Sequence, residues 1–239
     1  MTRTILFFTF FWISFVLAFP LSLVILAFYV VGLSRLVRRP LQRLARWWGS
    51  FVLSVMGVRL APEGMDRIPS EGGLCFVGNH QGDLDILVAL ALIERPFGFI
   101  AKKEAIFLPF VGLWVVLLDG LFIDRKSARK ALIAIKAGAQ RIRHGGAMII
   151  FPEGHRSRGP IMGDFRPGAF KLATMGDAAI VPVTFDGSYR AWEAETRIRK
   201  TTIRVVFHEP ILTAGLSPEE RKALASRVQN VIQSALPKD

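Results

Sequence analysis

The amino-acid sequence predicts an α/β domain preceded by a hydrophobic helical segment that anchors the chain to a membrane. Three observations predict it. No charged residue occurs from Thr4 to Ser34, a run dense in Phe, Leu, Ile and Val. Seven arginines and no acidic residue precede Glu63. From about residue 65 onward, short apolar runs bounded by turn residues alternate with helical stretches. The 239 residues suffice for one sizeable domain and an anchor, and a 51% hydrophobic, 21% charged composition excludes disorder. The single cysteine, Cys75, excludes an intramolecular disulfide and a Cys-rich zinc module. The net charge of +12 points to an anionic partner, nucleic acid or membrane.

The anchor comes first. Its 31 uncharged residues would form a helix of about 46 Å against a hydrocarbon core of about 30 Å, enough to span at a tilt. Pro20 invites a kink, and a hairpin dipping into one leaflet is the alternative geometry. A signal peptide would have an apolar region of about 7–15 residues and a small-residue cleavage site. This run is longer and ends Gly32-Leu33-Ser34-Arg35, so the anchor is read as retained. Arginines on its carboxyl side place that side in the cytoplasm, at the inner membrane. Arg35 to Trp48, with Trp47 and Trp48 beside the arginines, reads as an interfacial helix on anionic headgroups. The boundary is drawn at residue 62, with residues 1–62 as anchor and basic helix and 63–239 as the α/β domain.

The strands expected are Gly73–Gly78, Phe97–Ala101, Ala147–Phe151, Ala179–Phe185 and Ile203–Phe207, each short, apolar and bounded by turn residues. Asp85–Glu94 and Ser127–His144 are helical, the latter ended by Gly145-Gly146. Ser217-Pro218-Glu219-Glu220 is a capping box that opens the last helix. Ala105–Leu118, interrupted by Pro109 and Gly112, is uncharged and too short to span. It is either a core helix with a buried strand or a surface that meets lipid or lines an acyl-chain groove.

Four blocks can carry chemistry. Asn79-His80-Gln81-Gly82-Asp83-Leu84-Asp85 lies between a strand end and a helix start, where ligands bind in open α/β folds. A histidine there, oriented by a carboxylate, can take a proton from a hydroxyl. On a regular helix, residues five apart diverge by about 140°, so His80 reaches Asp85 only from a turn that Gly82 permits. Asp83 is the competing partner or the helix N-cap. Gly120–Arg125 delivers an arginine from a strand end, and Asp124 there can pair with a neighbour. Phe151-Pro152-Glu153-Gly154-His155-Arg156-Ser157-Arg158 suits polyol hydroxyls and a phosphate. Val181-Pro182-Val183 is inert, and its proline points to a bulge or an edge strand.

In this order the four blocks resemble the glycerolipid acyltransferases, most closely the bacterial 1-acylglycerol-3-phosphate acyltransferases. Their hallmark, a histidine, four residues and an aspartate, corresponds to His80 through Asp85. Gly120–Arg125, Phe151–Ser157 and Val181-Pro182-Val183 are similar to the other three blocks. Lys102-Lys103-Glu104 with Pro109 and Gly112, and Phe165–Lys171, are further similar features, so the resemblance spans roughly residues 65–210. It implies a mixed sheet flanked by helices. It also implies that His80 is the general base, Asp85 its orienting partner, and acyl-carrier protein or coenzyme A thioester the acyl donor. Lys103, Arg125 and Arg156 would hold the acceptor's phosphate, and Glu153 and Gly154 would shape its glycerol site. No metal and no cofactor beyond the thioester co-substrate is implied, and no G-x-S-x-G elbow supplies a serine nucleophile.

One departure matters. His155 replaces the usual threonine; a second, Gly82, where the family often has serine or another small residue, is minor. The first leaves 1-acylglycerol-3-phosphate, a lyso-ornithine lipid and glycerol-3-phosphate open as acceptors. A metal-dependent hydrolase using His80, Asp83, Asp85, Glu153 and His155 would need a chelator-sensitive activity. A non-enzymatic basic membrane protein, its basic segment binding anionic lipid or nucleic acid, would show salt-sensitive nucleic-acid binding by the domain after Glu63. No nucleic-acid-binding signature accompanies the charge.

Overall fold

The computed structural model describes residues 2–108, 110–124 and 126–237; Pro109 and Arg125 lie outside the described residues. Helix α1 (Thr2–Val30) runs through Pro20 without a break. It lies lengthwise against the rest of the chain. Ile198 N–H donates to Thr4 Oγ1 at 3.1 Å, Trp48 Nε1 to Ser14 Oγ at 3.1 Å, and Tyr29 Oη to the Leu117 carbonyl at 2.7 Å. Phe8 meets Trp192 edge-on and Phe19 meets Phe110. The contacts therefore run along about 37 Å of helix. The other side of α1 is open, with Leu6, Leu17 and Val24 exposed.

Helix α2 (Ser34–Met56) folds back beside α1 and presents three faces. Leu41, Ala45, Val52 and Met56 are buried. Gly49 allows close approach to α3 (Leu84–Leu92), because a Cβ there would lie 3.2 Å from the Leu87 carbonyl. Arg35, Arg39 and Arg43 lie four residues apart on one exposed stripe. Next to it runs an exposed apolar stripe of Leu36, Trp47 and Phe51.

Among the described residues, eight strands form one mixed sheet: β1 (Val58–Glu63), β2 (Leu74–Gly78), β3 (Phe97–Lys102), β4 (Leu121–Ile123), β5 (Ala147–Ile150), β6 (Ala179–Asp186), β7 (Thr201–Phe207) and β8 (Ile211–Leu212). Their order is β1-β7-β6-β2-β5-β3-β4, with β8 beside β6. Strands β2 to β6 are parallel to one another, while β7 and β8 run antiparallel to β6. Alternation divides the core. Leu74 and Phe76 of β2 pack with Val52, Leu53 and Val88 from α2 and α3. Cys75 and Val77 pack on the other face with Ile142, Leu172 and Val228. Those three come from α5 (Ala128–Arg143), α6 (Lys171–Met175) and α7 (Pro218–Ser234). The capping box is present: Ser217 Oγ accepts the Glu220 N–H, and Glu220 Oε2 accepts the Ser217 N–H at 2.8 Å.

Three expectations change. Strand β1 crosses the boundary drawn at residue 62, because Val58–Glu63 pairs in parallel with β7 at the sheet edge, where Pro62 is tolerated. Pro182 marks neither an edge nor a bulge, since β6 is central. It sits where β6's neighbour on one side changes from β8, paired at Ala179 and Ile180, to β7, paired from Val183 onward, so its missing N–H breaks no ladder there. Ala105–Leu118 is not a core helix with a buried strand. Ile106, Phe107 and Leu108 are exposed, and α4 (Val111–Leu117) faces a cavity beside α1.

Candidate active site

Because β2 to β6 are parallel, their carboxyl ends share one side of the sheet and deliver the first three blocks there. His80 lies in the turn after β2, and its Nδ1 stands 2.7 Å from Asp85 Oδ2. The turn makes the five-residue spacing work. Gly82 N–H donates to the same Asp85 oxygen at 2.9 Å, and Ser188 Oγ–H donates to Oδ1. Asp85 is fully buried, so its charge is held by three donors rather than by water. The His80 ring stacks on Phe151 with centroids 4.2 Å apart. With Nδ1 donating to Asp85, Nε2 carries the lone pair. Among the described residues nothing hydrogen-bonds it.

Glu153 is buried and spends both oxygens on backbone: Oε1 accepts the His80 N–H at 2.6 Å and Oε2 the Gly163 N–H at 2.8 Å. Burial pushes its carboxyl above the ordinary range, against the pull of those two amides. Glu153 thus ties the third block to the first rather than offering a free oxygen. Gly154 has φ of +74°, and a Cβ there would lie 3.2 Å from the Arg166 guanidinium. The third block also returns to the first by backbone, Ser157 N–H to the His80 carbonyl at 2.8 Å and Arg158 N–H to the Gln81 carbonyl at 3.1 Å.

Asp83 does not compete for His80. It occupies the N-cap position of α3 without a capping bond, and its carboxylate pairs with Arg156. Lys103 Nζ lies 2.9 Å from Asp124 Oδ2; that bond raises the ammonium's pKa and lowers the carboxyl's. Arg125 lies outside the described residues. His155 is exposed, with Nδ1 3.0 Å from the Glu153 carbonyl. His80, Asp83, Asp85, Glu153 and His155 do not converge: among the described residues no three His, Cys, Asp or Glu side chains form a metal-holding group. Cys75 is enclosed, and burial pushes its thiol up to about 12, which makes it inert.

Three polar residues were not foreseen from sequence. Gln81 Oε1 accepts the Gly187 and Ser188 N–H groups, joining the turn after β2 to the turn after β6. Ser188 holds Asp85. Glu193 accepts the Asp83 N–H at 2.6 Å. The strand order alone could have signalled them, since β6 neighbours β2 and ends beside it.

From the Asp83 turn an apolar cavity of about 740 Å³ extends between α1, α2, α3 and α4. Phe11, Trp48, Leu87, Phe99, Trp114 and Leu118 are among its walls. This volume falls in the range of sites for whole small molecules. At the opposite end of the sheet, near the amino ends of β3 and β5, a cleft of about 920 Å³ is lined by Arg35, Arg38, Arg39, Arg43, Arg95 and Arg141.

The family model described as Acyltransferase matches residues 59–186. A probable 1-acyl-sn-glycerol-3-phosphate acyltransferase of Mycoplasma pneumoniae is 31% identical over 194 residues, covering 75% of this chain and 71% of the relative. The 1-acyl-sn-glycerol-3-phosphate acyltransferase of Borreliella burgdorferi is 31% identical over 186 residues, covering 77% and 74%. The human 1-acyl-sn-glycerol-3-phosphate acyltransferase alpha is 32% identical over 177 residues, covering 73% and 62%. Among solved structures, the 1-acyl-sn-glycerophosphate acyltransferase PlsC from Thermotoga maritima superposes with a TM-score of 0.76 at 22% identity, covering 100% of this chain and 99% of that one. The last comparison shows a shared fold.

Proposed function

The chain belongs to the acyltransferase family, and from that premise we propose that it moves a fatty acyl group from an acyl thioester to the free hydroxyl of 1-acylglycerol-3-phosphate, giving phosphatidic acid. The observation that carries this reading is the His80–Asp85 pair at 2.7 Å, placed where the apolar cavity reaches the Asp83 turn. Asp85 fixes the tautomer, so Nε2 of His80 takes the acceptor's hydroxyl proton. The oxygen attacks the thioester carbonyl carbon, and the tetrahedral intermediate expels the thiolate, which takes its proton back from the imidazolium. The buried Asp85 charge stabilises that imidazolium. No acyl-enzyme is required, and no cofactor beyond the thioester co-substrate is invoked.

Lys103, Arg125 and Arg156 are assigned to the acceptor's phosphate. The pairing of Arg156 with Asp83 of the first block supports that assignment for Arg156, and Lys103 pairs with Asp124 of the second block. The apolar cavity is assigned to an acyl chain. The lengthwise packing of α1 favours a chain seated in one leaflet over a perpendicular span, because a helix docked along its length cannot cross lipid without carrying the domain with it. The exposed apolar stripe of α2 would enter the same leaflet while its arginines meet headgroup phosphates. The anionic lipids of the cytoplasmic leaflet attract those arginines, which favours the cytoplasmic face of the inner membrane for the enzyme.

The test is a vesicle assay offering 1-acylglycerol-3-phosphate, glycerol-3-phosphate and a lyso-ornithine lipid, each with acyl-carrier-protein and coenzyme A donors. The wild type is expected to turn over the first acceptor best. His80→Ala is expected to abolish transfer while membrane association persists, and Arg156→Ala to raise KM about tenfold for the two phosphorylated acceptors but not for the lyso-ornithine lipid. Retained turnover in His80→Ala, or preference for an unphosphorylated acceptor, overturns the reading.

A further inference from the structure

Glu193 is a carboxylate at the site that the proposed chemistry does not use. It follows Trp192, whose ring meets Phe8 of α1 edge-on at 5.1 Å. Its Oε1 accepts the Asp83 N–H at 2.6 Å, and its Oε2 is enclosed without a hydrogen-bond partner among the described residues. A Cβ on Gly82 would lie 2.6 Å from Oε2 and 2.7 Å from Oε1. The carboxylate therefore occupies the space that any side chain at position 82 would need. This chain's glycine in the first block and the carboxylate from the distant loop are one steric unit.

The turn carrying His80 is held by three carboxylates on three of its amides: Glu153 on the residue-80 N–H, Asp85 on the residue-82 N–H and Glu193 on the residue-83 N–H. The first two belong to the sequence blocks, and the third belongs to none. A half-buried carboxylate beside Asp83 and Asp85, with one oxygen enclosed and unbonded among the described residues, is costly, and burial together with those two neighbours raises its pKa. A group held at that cost in a surface loop calls for a compensating role.

We propose that Glu193 is a positioning residue for His80: it holds the Asp83 amide, and Gly82 is the gap that admits it. Together they set the turn that lays His80 Nδ1 on Asp85. The kinetic arm of the test rests on the proposed acyl transfer; the exchange arm does not.

The full-length protein in lipid vesicles is compared as wild type, Glu193→Ala, Gly82→Ser and the double variant. Each single change is expected to lower kcat about tenfold or more with KM within about twofold, as displacement of a catalytic group predicts. The double variant is expected to run at least about fivefold faster than either single one, because serine then fills the space the carboxylate left. Amide hydrogen exchange across residues 81–84 is expected to accelerate in Glu193→Ala and to slow again in the double variant. If Gly82→Ser fails to accumulate folded, recovery of folded yield in the double variant reads the same reciprocity. Full activity in Gly82→Ser, a double variant no better than the worse single one, or unchanged exchange in Glu193→Ala overturns the proposal. A wild type inactive on every acceptor overturns the proposed function, and the exchange pattern then decides this inference by itself.

Discussion

Replacing Asp85 with asparagine tests the orienting carboxylate, and the geometry sets how large the effect should be. Asn has one acceptor oxygen and one donor NH2. The Oδ2 position already receives two donors, His80 Nδ1 and the Gly82 N–H at 2.9 Å. An NH2 group there would face the backbone amide donor, so the amide oxygen is driven to that position. The NH2 then faces Ser188 Oγ, which can rotate to accept. The histidine thereby keeps its tautomer, and what is lost is the charge opposite the imidazolium. Two unit charges roughly 4 Å apart at an effective dielectric constant near 20 interact by about 4 kcal/mol, or about 10³-fold in rate. The assay is single-turnover acyl transfer, which keeps product release from masking the chemical step. We expect kcat to fall about 10³-fold with acceptor KM nearly unchanged. A loss below about tenfold refutes the reasoning, because His80 would then not become an imidazolium opposite a charged Asp85 in the rate-limiting step.

Glu153→Gln tests the cost of a buried carboxylate. Burial raises its folded pKa above the unfolded value, so its stabilising contribution is present at low pH and lost as pH rises through the folded value. The Tm of the variant, measured against wild type from about pH 4 to about pH 7, should therefore improve with rising pH; a gap that does not move refutes the burial argument. Changing Arg35, Arg39 and Arg43 together to glutamine should weaken partition onto anionic vesicles by about a hundredfold, at roughly fivefold per arginine. Partition onto neutral vesicles should be unaffected. Leu87→Trp, which fills part of the apolar cavity, should cut turnover of long-chain donors at least tenfold while sparing short-chain ones. Equal losses for both would show that the acyl chain lies elsewhere.

What was legible in the sequence follows from how local each signal is. Strands β2, β3, β5 and β6 are apolar on both faces because both faces are covered, so they stand out as continuous runs. Strand β1, Val58-Arg59-Leu60-Ala61-Pro62-Glu63, is an edge strand with two charges and a proline, and it looks like a loop until β7 pairs with it. The His80–Asp85 contact could be derived because one flexible residue, Gly82, decides whether five positions close into a turn. The groups that hold that contact could not. Ser188 and Glu193 lie more than a hundred residues further on, and they reach Asp85 and Asp83 only because β6 is inserted beside β2. The same limit applies to α1. Composition is identical for a helix that spans a bilayer and one that lies along a domain; only its contacts with Trp48, Leu117 and Ile198 separate them. Those contacts connect the two problems. The segment from Trp192 to Ile198 touches α1 through Phe8 and Thr4 and touches the histidine turn through Glu193. The orientation of His80 and the seating of the apolar helix thus share one short stretch of chain. A disturbance of α1 at Phe8 should therefore reach His80 through fewer contacts than one at the arginine stripe of α2.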